Sequence, residues 1–473
     1  MVGAVPPMNP AKMLVVSNRG PMSFRLDEEG RPEASGSAGG LAGTLHGIFD
    51  GSGATWVSSA MSEADRAAAA AGLMTESGLH LVMVEPDVEQ YQMAYDVISN
   101  STLWFAHHLL FDMPRRPKID RFWRQAWDAY RGVNAAFAET VDRSAAEGAV
   151  VLVQDYHLTL LPGLLAERRP DLGIVHFSHT PFADPSVLRV MPTFAMREML
   201  EGMAGGAACG FHSRRWESAF RACCEYAGVE APVTFTSPLA PDASSIAERV
   251  ASPEGAAAKE RFGELAHDRM TIVKVDRVEP SKNLLRGFWA FDELLRTRPD
   301  LRGRVVFIAL AYPSREELPD YLAYRVEAEL AAERVNENWG TPDWTPVELQ
   351  IEDDHDRSIA ALCLHDVLLV NPLRDGMNLV AKEGPIASER DGVLCLSTEA
   401  GAYDELAGPA VELNPFDVTG TAAALATALD MPSDERSARA SELRSLATKR
   451  RPVDWLEDQL AAARRAGATV PRD

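Results

Sequence analysis

Short apolar runs recur along the chain, and each is followed by small or polar residues. Their apolarity is continuous and many of their members are β-branched, which is typical of strands buried on both faces of a parallel sheet. The runs predicted to be strands are Met13–Val16, Val150–Val153, Gly173–Phe177, Met270–Val275, Arg304–Leu310, Asp366–Val370 and Gly392–Leu396.

Helical patterns lie between these runs, at Ala136–Ala146, Leu284–Arg298 and Tyr321–Val335, and an alanine-rich helix is predicted at Ala67–Ala71. Because predicted strands and helices alternate, the pattern indicates an α/β protein with parallel sheets.

The spacing of the strands predicts two such units, at residues 13–233 and 234–450. They meet within Val229–Ser245, which is rich in Pro, Ser and Ala, as interdomain connections are. The last segment, Arg451–Ala466, is predicted to be helical, since Leu456 and Leu460 lie one helical turn apart.

Composition narrows the choice of partners. The chain has 473 residues, with 47 Lys and Arg against 69 Asp and Glu, so its formal net charge is −22. Nucleic acids and anionic membranes both attract basic surfaces, so we expect neither as a partner. If the protein binds phosphorylated ligands, the cations that do so must occupy particular places.

The cysteines and the apolar runs bear on the compartment. The five cysteines are scattered and lack metal-type spacing, so we expect reduced thiols. No apolar run reaches the roughly 18 residues of a membrane span, and the first residues do not resemble a secretory signal. We therefore expect a cytoplasmic protein with neither metal nor other cofactor, and the sequence leaves homo-oligomerisation open.

Charged and polar residues follow the predicted strands. In open α/β sheets, ligands bind beyond the carboxyl ends of the strands, so these residues are candidates for a binding site. They are Asn18, Arg19, Gly36–Gly43, Asp155, His179, Arg277, Lys282, Arg315 and Pro372–Asn378.

Each of these groups has a simpler interpretation. The glycine-rich stretch Gly36–Gly43 can cradle a phosphate with its backbone N–H groups, or it can be an ordinary turn. Arg277 and Lys282 can be a solvated surface pair, and Asp155 and His179 can be satisfied residues at strand ends. Their common position after strands favours a shared site, since the simpler interpretations predict no common position.

Several segments together resemble the trehalose-phosphate synthase family of retaining glycosyltransferases. The most specific is PLRDGMNLVAKE at Pro372–Glu383, and the shorter ones follow the family order over nearly the whole chain. They are Ser17–Gly20, Ser37–Gly43, Ser99–Trp104, Ala126–Asn134, Gln154–Leu158, His179–Phe182 and Ala400–Leu406.

This resemblance implies a GT-B fold, in which two Rossmann-like domains face each other across a central cleft and the last helix crosses back to the N-terminal domain. It implies an acceptor domain at residues 13–233, completed by the helix 451–466, and a donor domain at 234–450. The implied reaction transfers glucose from a nucleotide-diphosphate glucose to glucose 6-phosphate with retention, giving α,α-trehalose 6-phosphate.

The resemblance also assigns the donor site. Arg277 and Lys282 match the family's diphosphate-binding pair, and cations placed there stabilise the leaving group as its charge develops. The backbone N–H groups of Gly39 and Gly40 would bind the same diphosphate, and no metal is implied.

The resemblance assigns the donor sugar and the ribose to residues of the motif Pro372–Glu383, which is called the long motif below. By resemblance Asp375 binds the donor sugar's hydroxyls, and Glu383 binds the ribose. The backbone amides of Met377, Asn378 and Leu379 lie between them in sequence.

The acceptor site follows in the same way. Arg19 and Arg315 match the acceptor-phosphate positions, and Asp155 is expected to bind the acceptor sugar without acting as a covalent nucleophile. His179 would hydrogen-bond the donor sugar near the reacting carbon. Tyr95 and Trp104 match the aromatic positions beside the acceptor, with core packing as their alternative.

Two departures from the family pattern affect these expectations. The family's RLDYSKG stretch reads Arg277-Val278-Glu279-Pro280-Ser281-Lys282-Asn283 here. In the nucleotide-base region, Asp353 and Asp354 stand near the place where uridine-using members commonly have a His-Phe pair. One carboxylate can accept both the N1–H and the N2–H of guanine, so we expect GDP-glucose as donor; UDP-glucose, or an exposed charge run at these acids, is the alternative.

Two other functions compete with this interpretation. A pseudo-glycosyltransferase of the validoxylamine-phosphate type shares the fold, but the Arg-Asp-Gly-Met-Asn motif is intact here. A catalytically silent sugar-phosphate sensor would have lost charged site residues, and these are present.

Overall fold

The computed structural model describes residues 10–37, 47–49, 51–71 and 79–465. Gly39 and Gly40, predicted to bind the donor diphosphate, lie outside the described residues. The chain forms two compact units: unit 1 is Met1–Pro238 with Pro452–Asp473, and unit 2 is Leu239–Arg451.

Unit 1 contains a seven-stranded sheet in the order β5-β4-β1-β6-β7-β8-β9, with parallel neighbours throughout. A separate antiparallel pair, β2-β3, precedes β4 in sequence. The strands are β1 Ala11–Val16, β2 Met22–Leu26, β3 Pro32–Ser37, β4 Thr55–Ser59, β5 His80–Val84, β6 Ala145–Gln154, β7 Gly173–Ser178, β8 Ala208–Phe211 and β9 Val233–Thr236.

Helices connect these parallel strands. A π-helix spans Met93–Leu103, and a short 3₁₀ turn spans Tyr156–Leu158. The α-helices are Glu63–Ala71, Val88–Gln92, Trp104–His108, Arg121–Ser144, Leu161–Arg168, Pro185–Leu188, Thr193–Ala204, Arg214–Ala227 and Pro452–Arg465.

Unit 2 contains a six-stranded parallel sheet in the order β12-β11-β10-β13-β14-β15. Its strands are β10 Met270–Arg277, β11 Val305–Tyr312, β12 Val347–Ile351, β13 Val367–Val370, β14 Val393–Ser397 and β15 Val411–Leu413. Its α-helices are Ala243–Ala251, Pro253–Ala266, Leu284–Thr297, Pro319–Trp339, His355–Leu364, Val380–Ala387, Tyr403–Leu406, Val418–Leu429 and Ser433–Ala447, with 3₁₀ turns at Pro280–Lys282 and Pro299–Leu301.

The sheet of unit 2 is buried on both faces. Along β11, Val305 and Phe307 pack in one apolar cluster with Phe288 and Phe291. Val306 and Ile308 point to the opposite face and pack in a second cluster. Because successive side chains of a strand alternate between faces, a strand covered on both sides must be apolar throughout.

The last helix, Pro452–Arg465, belongs to unit 1. Its Trp455 is fully buried, with its ring 5.0 Å from that of Phe177 in β7. Asp458 accepts a hydrogen bond of 2.8 Å from the hydroxyl of Ser237. The helix is therefore held by both apolar and polar contacts.

The predicted α/β class with parallel sheets is confirmed, and every predicted apolar run contains a strand. The pattern did not reveal β2, β3, β4, β5, β8, β9, β12 and β15. Several of these are half-exposed or very short, so they lack a continuous apolar run. The helix predicted at Ala136–Ala146 ends at Ser144, and β6 begins at the next residue.

Each sheet reverses its strand order at one place. In unit 1 the chain turns back between the neighbours β1 and β6, and in unit 2 between β10 and β13. The helices that leave such a pair go to opposite faces of the sheet, which opens a crevice at the carboxyl ends of the two strands. The topology therefore points to the residues after β1, β6, β10 and β13.

Candidate functional site

The loop after β1 is fixed by hydrogen bonds. Asn18 is buried, and its Oδ1 accepts from the hydroxyls of Tyr91 at 3.0 Å and Ser59 at 3.2 Å. The Asn18 Nδ2 finds no hydrogen-bond partner within the described residues. The side chain of the next residue, Arg19, is exposed. The loop thus presents a cation and an amide donor beyond the strand.

Asp155, directly after β6, has an unusual backbone. Its φ is 69° and its ψ 175°, a conformation that residues other than glycine rarely adopt. Its N–H donates to the carbonyl of Phe177 at 2.8 Å, and its Oδ1 accepts from the backbone N–H of His179 at 3.1 Å. Such strain persists where surrounding contacts hold it, and it is frequent at functional sites.

His179 is joined to two side chains of unit 1. Its Nδ1 lies 3.0 Å from Nε2 of His212, and its Nε2 lies 2.9 Å from Oε1 of Gln154. With Gln154 Oε1 as acceptor, His179 carries its proton on Nε2, and its Nδ1 accepts from His212. Burial, followed by the neighbouring His212 and His176, holds the pKa of His179 well below its usual range. His179 is therefore neutral at pH 7.

A row of aromatic rings brings Tyr95 and Trp104 near the strand ends. Tyr95 stacks on His157 with ring centroids 5.8 Å apart, and His157 packs on Tyr156 at 4.0 Å. Trp104 follows, 5.6 Å from Tyr156. Tyr95 is half-buried, whereas Trp104 is almost fully buried, which favours core packing for Trp104.

Tyr95 lies in the π-helix Met93–Leu103, which the sequence pattern did not reveal. The hydroxyl of Thr102 donates to the carbonyl of Val97, and the amide of Asn100 donates to that of Tyr95, each five residues back. The wider helical turn gives these side chains their partners. π-Helical segments are rare and frequent at functional sites.

In unit 2, alternating charges connect β10 to the loop after β13. Lys274, fully buried, lies 2.8 Å from Asp276 Oδ2. Lys282 Nζ lies 3.8 Å from the other oxygen of Asp276 and donates to Asp375. Burial alone would lower the pKa of Lys282, but Asp375 and Asp276 outweigh it and raise that pKa. Lys282 is therefore a charged ammonium that is mostly withdrawn from water.

The loop after β13 presents Asp375 and the polar groups around it. Asn378 has a φ of 70°; its Nδ2 donates to Asp375 at 3.1 Å, and its Oδ1 accepts from the N–H of Ala381. A methyl group at Gly401 would overlap the carbonyl oxygen of Gly376, so this loop and the loop after β14 meet backbone to backbone. The close approach explains why glycine occupies position 401.

The remaining residues of the long motif start the helix Val380–Ala387. Met377 is buried, and Leu379 precedes the first residue of the helix. Burial raises the pKa of Glu383 to about 7. Near neutral pH this carboxyl group therefore exists in both protonation states.

The altered segment Arg277–Asn283 keeps a defined conformation. Glu279 is extended, as expected for a residue before proline, and Pro280 opens a 3₁₀ turn. Asn283 stands where the family motif has glycine and has a φ of 60°. Its amide donates to the carbonyls of Asn371 at 2.9 Å and Pro415 at 2.8 Å. Asparagine tolerates this conformation, and its side chain joins the loop to β13.

Arg277 and Arg315 share one carboxylate in unit 2. Arg277 lies 3.0 Å from Oε1 of Glu279, and Arg315 lies 2.8 Å from Oε2. The Glu279 side chain is fully buried, whereas that of Arg277 is 44% exposed and that of Arg315 11% exposed. The two cations predicted for different phosphates are thus neighbours.

A family model described as Glycosyltransferase family 20 matches residues 11–465. The chain belongs to glycosyltransferase family 20.

Curated relatives match over most of this family 20 chain. The trehalose-6-phosphate synthase of Mycobacterium sp. (strain JLS) is 33% identical over 459 residues, covering 91% of this chain and 92% of the relative. The alpha,alpha-trehalose-phosphate synthase (UDP-forming) of Schizosaccharomyces pombe is 31% identical and covers 92% and 87%. The bifunctional trehalose-6-phosphate synthase/phosphatase of Thermoproteus tenax is 32% identical and covers 94% of this chain, which spans only 62% of that relative.

Solved structures match the whole family 20 fold. The E. coli protein bound with UDP-2-fluoro glucose has a TM-score of 0.83 at 28% identity, covering 97% of this chain and 100% of the other. The Burkholderia xenovorans enzyme in complex with glucose 6-phosphate also has a TM-score of 0.83 at 28% identity, covering 96% and 100%. The predicted GT-B fold is confirmed by these matches.

The nucleotide-base region of this glycosyltransferase bears on the expected donor. Asp354 caps the helix His355–Leu364, since its carboxylate accepts from the N–H of Arg357 at 2.9 Å. The carbonyl of Asp354 accepts from Tyr312 at 3.2 Å. Asp353 is exposed. The carboxylate of Asp354 therefore already serves the fold, and the exposure of Asp353 favours the charge-run alternative.

Several side chains at these strand ends were not predicted as site residues. The sequence does indicate a buried pair at Lys274 and Asp276. These two opposite charges lie two residues apart in an apolar strand, hence on the same face, and buried charges must be paired. No signal in the sequence pattern indicates the contacts of Gln154, His212 or Glu279.

No group of three or more His, Cys, Asp and Glu residues in the described part of the chain is arranged to hold a metal ion. Among the helices described, none combines the length and the apolarity that crossing a membrane requires.

Proposed function

We propose that the protein transfers glucose from a nucleotide-diphosphate glucose to glucose 6-phosphate with retention of configuration, forming α,α-trehalose 6-phosphate. The observation that carries this proposal is the buried ammonium of Lys282, held by Asp375 and Asp276 at the strand-order reversal of unit 2. It occurs in a family 20 chain whose structural match extends over 97% of its length to a protein bound with UDP-2-fluoro glucose.

Unit 2 acts as the donor unit in this proposal. As the bond between sugar and diphosphate breaks, negative charge develops on the leaving group. Arg277 and Lys282 are preorganised cations that stabilise this charge more in the transition state than in the ground state. Lys282 exchanges part of its contact with Asp375 for the diphosphate, which leaves Asp375 to accept hydrogen bonds from the sugar hydroxyls. Glu383 accepts from the ribose.

Unit 1 acts as the acceptor unit. Arg19 binds the acceptor phosphate, and Tyr95 donates a hydrogen bond to the acceptor. Arg315 is the second cation that the family resemblance assigns to this phosphate. Asp155 accepts a hydroxyl of the acceptor sugar, which explains why a strained backbone is kept there.

His179 and the leaving phosphate have separate parts in the chemistry. His179 is neutral, and it contacts the donor sugar once its Nε2–H turns from Gln154 to the ligand. The oxygen freed on the leaving phosphate takes the proton of the attacking acceptor hydroxyl. The new bond therefore forms on the face that the leaving group vacates, and configuration is retained.

We propose UDP-glucose as the donor, in place of the GDP-glucose expected from the acidic stretch. The support is that similar proteins, such as that of Schizosaccharomyces pombe, are named UDP-forming. In addition, the carboxylate of Asp354 is occupied as a helix cap. GDP-glucose stays the second candidate, because Asp353 is an exposed carboxylate that guanine can use.

A donor panel tests both statements. Purified protein is incubated with glucose 6-phosphate and either UDP-glucose or GDP-glucose, and trehalose 6-phosphate and the released nucleotide are quantified. We expect no product in controls that lack a nucleotide-diphosphate glucose. With the donors present, we expect a kcat/KM at least tenfold higher for UDP-glucose than for GDP-glucose. Failure to form trehalose 6-phosphate with any nucleotide-diphosphate glucose contradicts the function.

The variant Asp353→Asn separates the two donors. It removes the carboxylate that guanine would require, and uracil gains nothing from that carboxylate. We expect unchanged kinetics with UDP-glucose. A preference for GDP-glucose that Asp353→Asn abolishes would establish the second candidate and reject the first.

A further inference from the structure

Glu279 is a fully buried carboxylate with four donors arranged around it. Oε1 receives the guanidinium of Arg277 at 3.0 Å and the hydroxyl of Ser281 at 3.2 Å. Oε2 receives the guanidinium of Arg315 at 2.8 Å and the hydroxyl of Ser314 at 3.4 Å. Each oxygen therefore holds one arginine and one serine.

The two arginines come from different strand ends. Arg277 is the last residue of β10, and Arg315 follows the neighbouring strand β11. Two guanidinium groups at such close quarters repel each other, and the carboxylate between them offsets this repulsion. Glu279 consequently sets both their separation and their direction.

The backbone of Arg315 adopts a conformation that residues other than glycine rarely adopt. Its φ is 48°, in the left-handed region that costs a non-glycine residue about 1 kcal/mol. Arg315 also donates to the hydroxyl of Tyr321 at 3.3 Å, and its guanidinium lies 5.3 Å from the centre of that ring. The side chain is thus held from two sides in one orientation.

The local sequence is suited to this carboxylate. Pro280 restricts Glu279 to the extended conformation observed, with φ −149° and ψ 151°. The side chain is thereby directed to one place before any ligand arrives.

We propose that Glu279 is a positioning residue shared by both phosphate sites. It orients Arg277 for the donor diphosphate and Arg315 for the acceptor phosphate, so its loss weakens the binding of both ligands. This inference rests on the proposed function for the two ligand classes, and it adds a link between their sites.

The sign of the effect distinguishes positioning from simple electrostatics. Replacing Glu279 by Gln removes a negative charge beside two cations, so electrostatic attraction alone predicts tighter binding of anions. A Gln amide can accept from one arginine, but its NH₂ group faces the other as a second donor. If positioning dominates, both phosphate ligands bind more weakly despite the added positive charge.

The test measures binding without requiring turnover. UDP is titrated calorimetrically into the wild-type protein and Glu279→Gln, and glucose 6-phosphate is titrated into each protein saturated with UDP. We expect the Kd of each ligand to rise at least fivefold in the variant. A Kd that is unchanged within twofold, or lower, for either ligand overturns the shared role.

Two further variants keep the test decisive. Glu316→Gln is the matched control, because it removes an exposed carboxylate from the loop after β11, next to Arg315. This carboxylate pairs with Arg325, so its loss should leave both Kd values unchanged. Glu279→Ala removes the carboxylate without placing a second donor beside the arginines, so it serves if Glu279→Gln does not fold. We expect at least a threefold rise in Kd for both ligands, and unchanged values overturn the inference.

Failure of the proposed function gives a different result. If the wild-type protein binds neither UDP nor GDP and does not bind glucose 6-phosphate, the function itself is wrong. If the wild type binds both ligands and Glu279→Gln binds them equally well, the function stands and only the role of Glu279 is rejected.

Discussion

Replacing Lys282 by Met tests the central cation of the donor unit. The substitution keeps an unbranched side chain, one atom shorter, but removes the ammonium that contacts Asp375 and Asp276. At an effective dielectric constant of about 20, the 3.8 Å pair with Asp276 is worth about 4 kcal/mol. Most of this free energy is not lost, because Lys274 stays 2.8 Å from Asp276 and still balances its negative charge.

Asp375 loses more than Asp276 does. The amide of Asn378 still donates to Asp375 at 3.1 Å, but this donor carries no charge. Breaking a buried ion pair costs about 3–5 kcal/mol, and Asp375 can regain some hydration, so we expect a loss of about 2–3 kcal/mol of stability. For a unit of this size that corresponds to a thermal midpoint lower by roughly 4–10 °C.

The catalytic effect should be larger than the effect on stability. Removing one preorganised group that stabilises developing charge typically lowers kcat about 10²–10³-fold. We therefore expect kcat/KM for the donor to fall about 10³-fold in Lys282→Met at a temperature where the protein is folded, measured as nucleotide release with saturating glucose 6-phosphate.

The control for this variant is Lys259→Met. Lys259 also belongs to unit 2 and pairs with Glu389 at 2.9 Å, but this pair lies near the surface and should contribute less than about 1 kcal/mol. Both its midpoint and its kinetics should match the wild type. A kcat/KM for Lys282→Met within threefold of the wild type would refute the role of this cation in leaving-group stabilisation.

Two other residues of unit 2 give separate expectations. Because the pKa of Glu383 is about 7, its charged form falls from about 90% at pH 8 to about 10% at pH 6. Ribose hydroxyls need the charged acceptor, so the donor KM should rise several-fold as the pH falls from 8 to 6. Glu383→Gln should raise the donor KM at pH 8 and flatten its pH profile. A wild-type KM independent of pH would contradict this. Asn283→Ala replaces a residue that tolerates the left-handed region by one that does not, and it leaves two buried carbonyls without their donor. Urea unfolding should therefore show a loss of about 2–4 kcal/mol. Asn283→Gly relieves the backbone strain and should lose about 1 kcal/mol less, and equal losses in the two variants would reject a role for the conformation.

Local sequence was sufficient for the main strands of both sheets. A strand that is covered on both faces must be apolar at successive positions, and the run at Arg304–Leu310 meets this condition. Strands at the sheet edges, such as β5 and β12, are less buried and contain polar residues. They therefore lack the continuous apolar run by which the sequence pattern predicts a strand.

Motifs were sufficient for the family but not for the arrangement of the charges. The segment Pro372–Glu383 is the most specific part of a resemblance that several shorter segments share, and the family match extends over residues 11–465. The donor nucleotide is a weaker inference from the sequence than the family is. Asp354 is a candidate ligand for the base in the sequence, whereas in the structure its carboxylate caps a helix. A carboxylate before a helix has both options, and only its neighbours in space decide between them.

What the sequence alone determined is the α/β class, the principal strands and the polar residues that follow them, because these depend on local apolarity and on short motifs. What only the tertiary structure decided is how those residues pair. Lys274 meets Asn371 across 97 positions of the chain, and Arg315 meets Glu279 across 36. Such contacts follow from strand order and from burial, which makes an unpaired charge costly, and neither is encoded within a single segment.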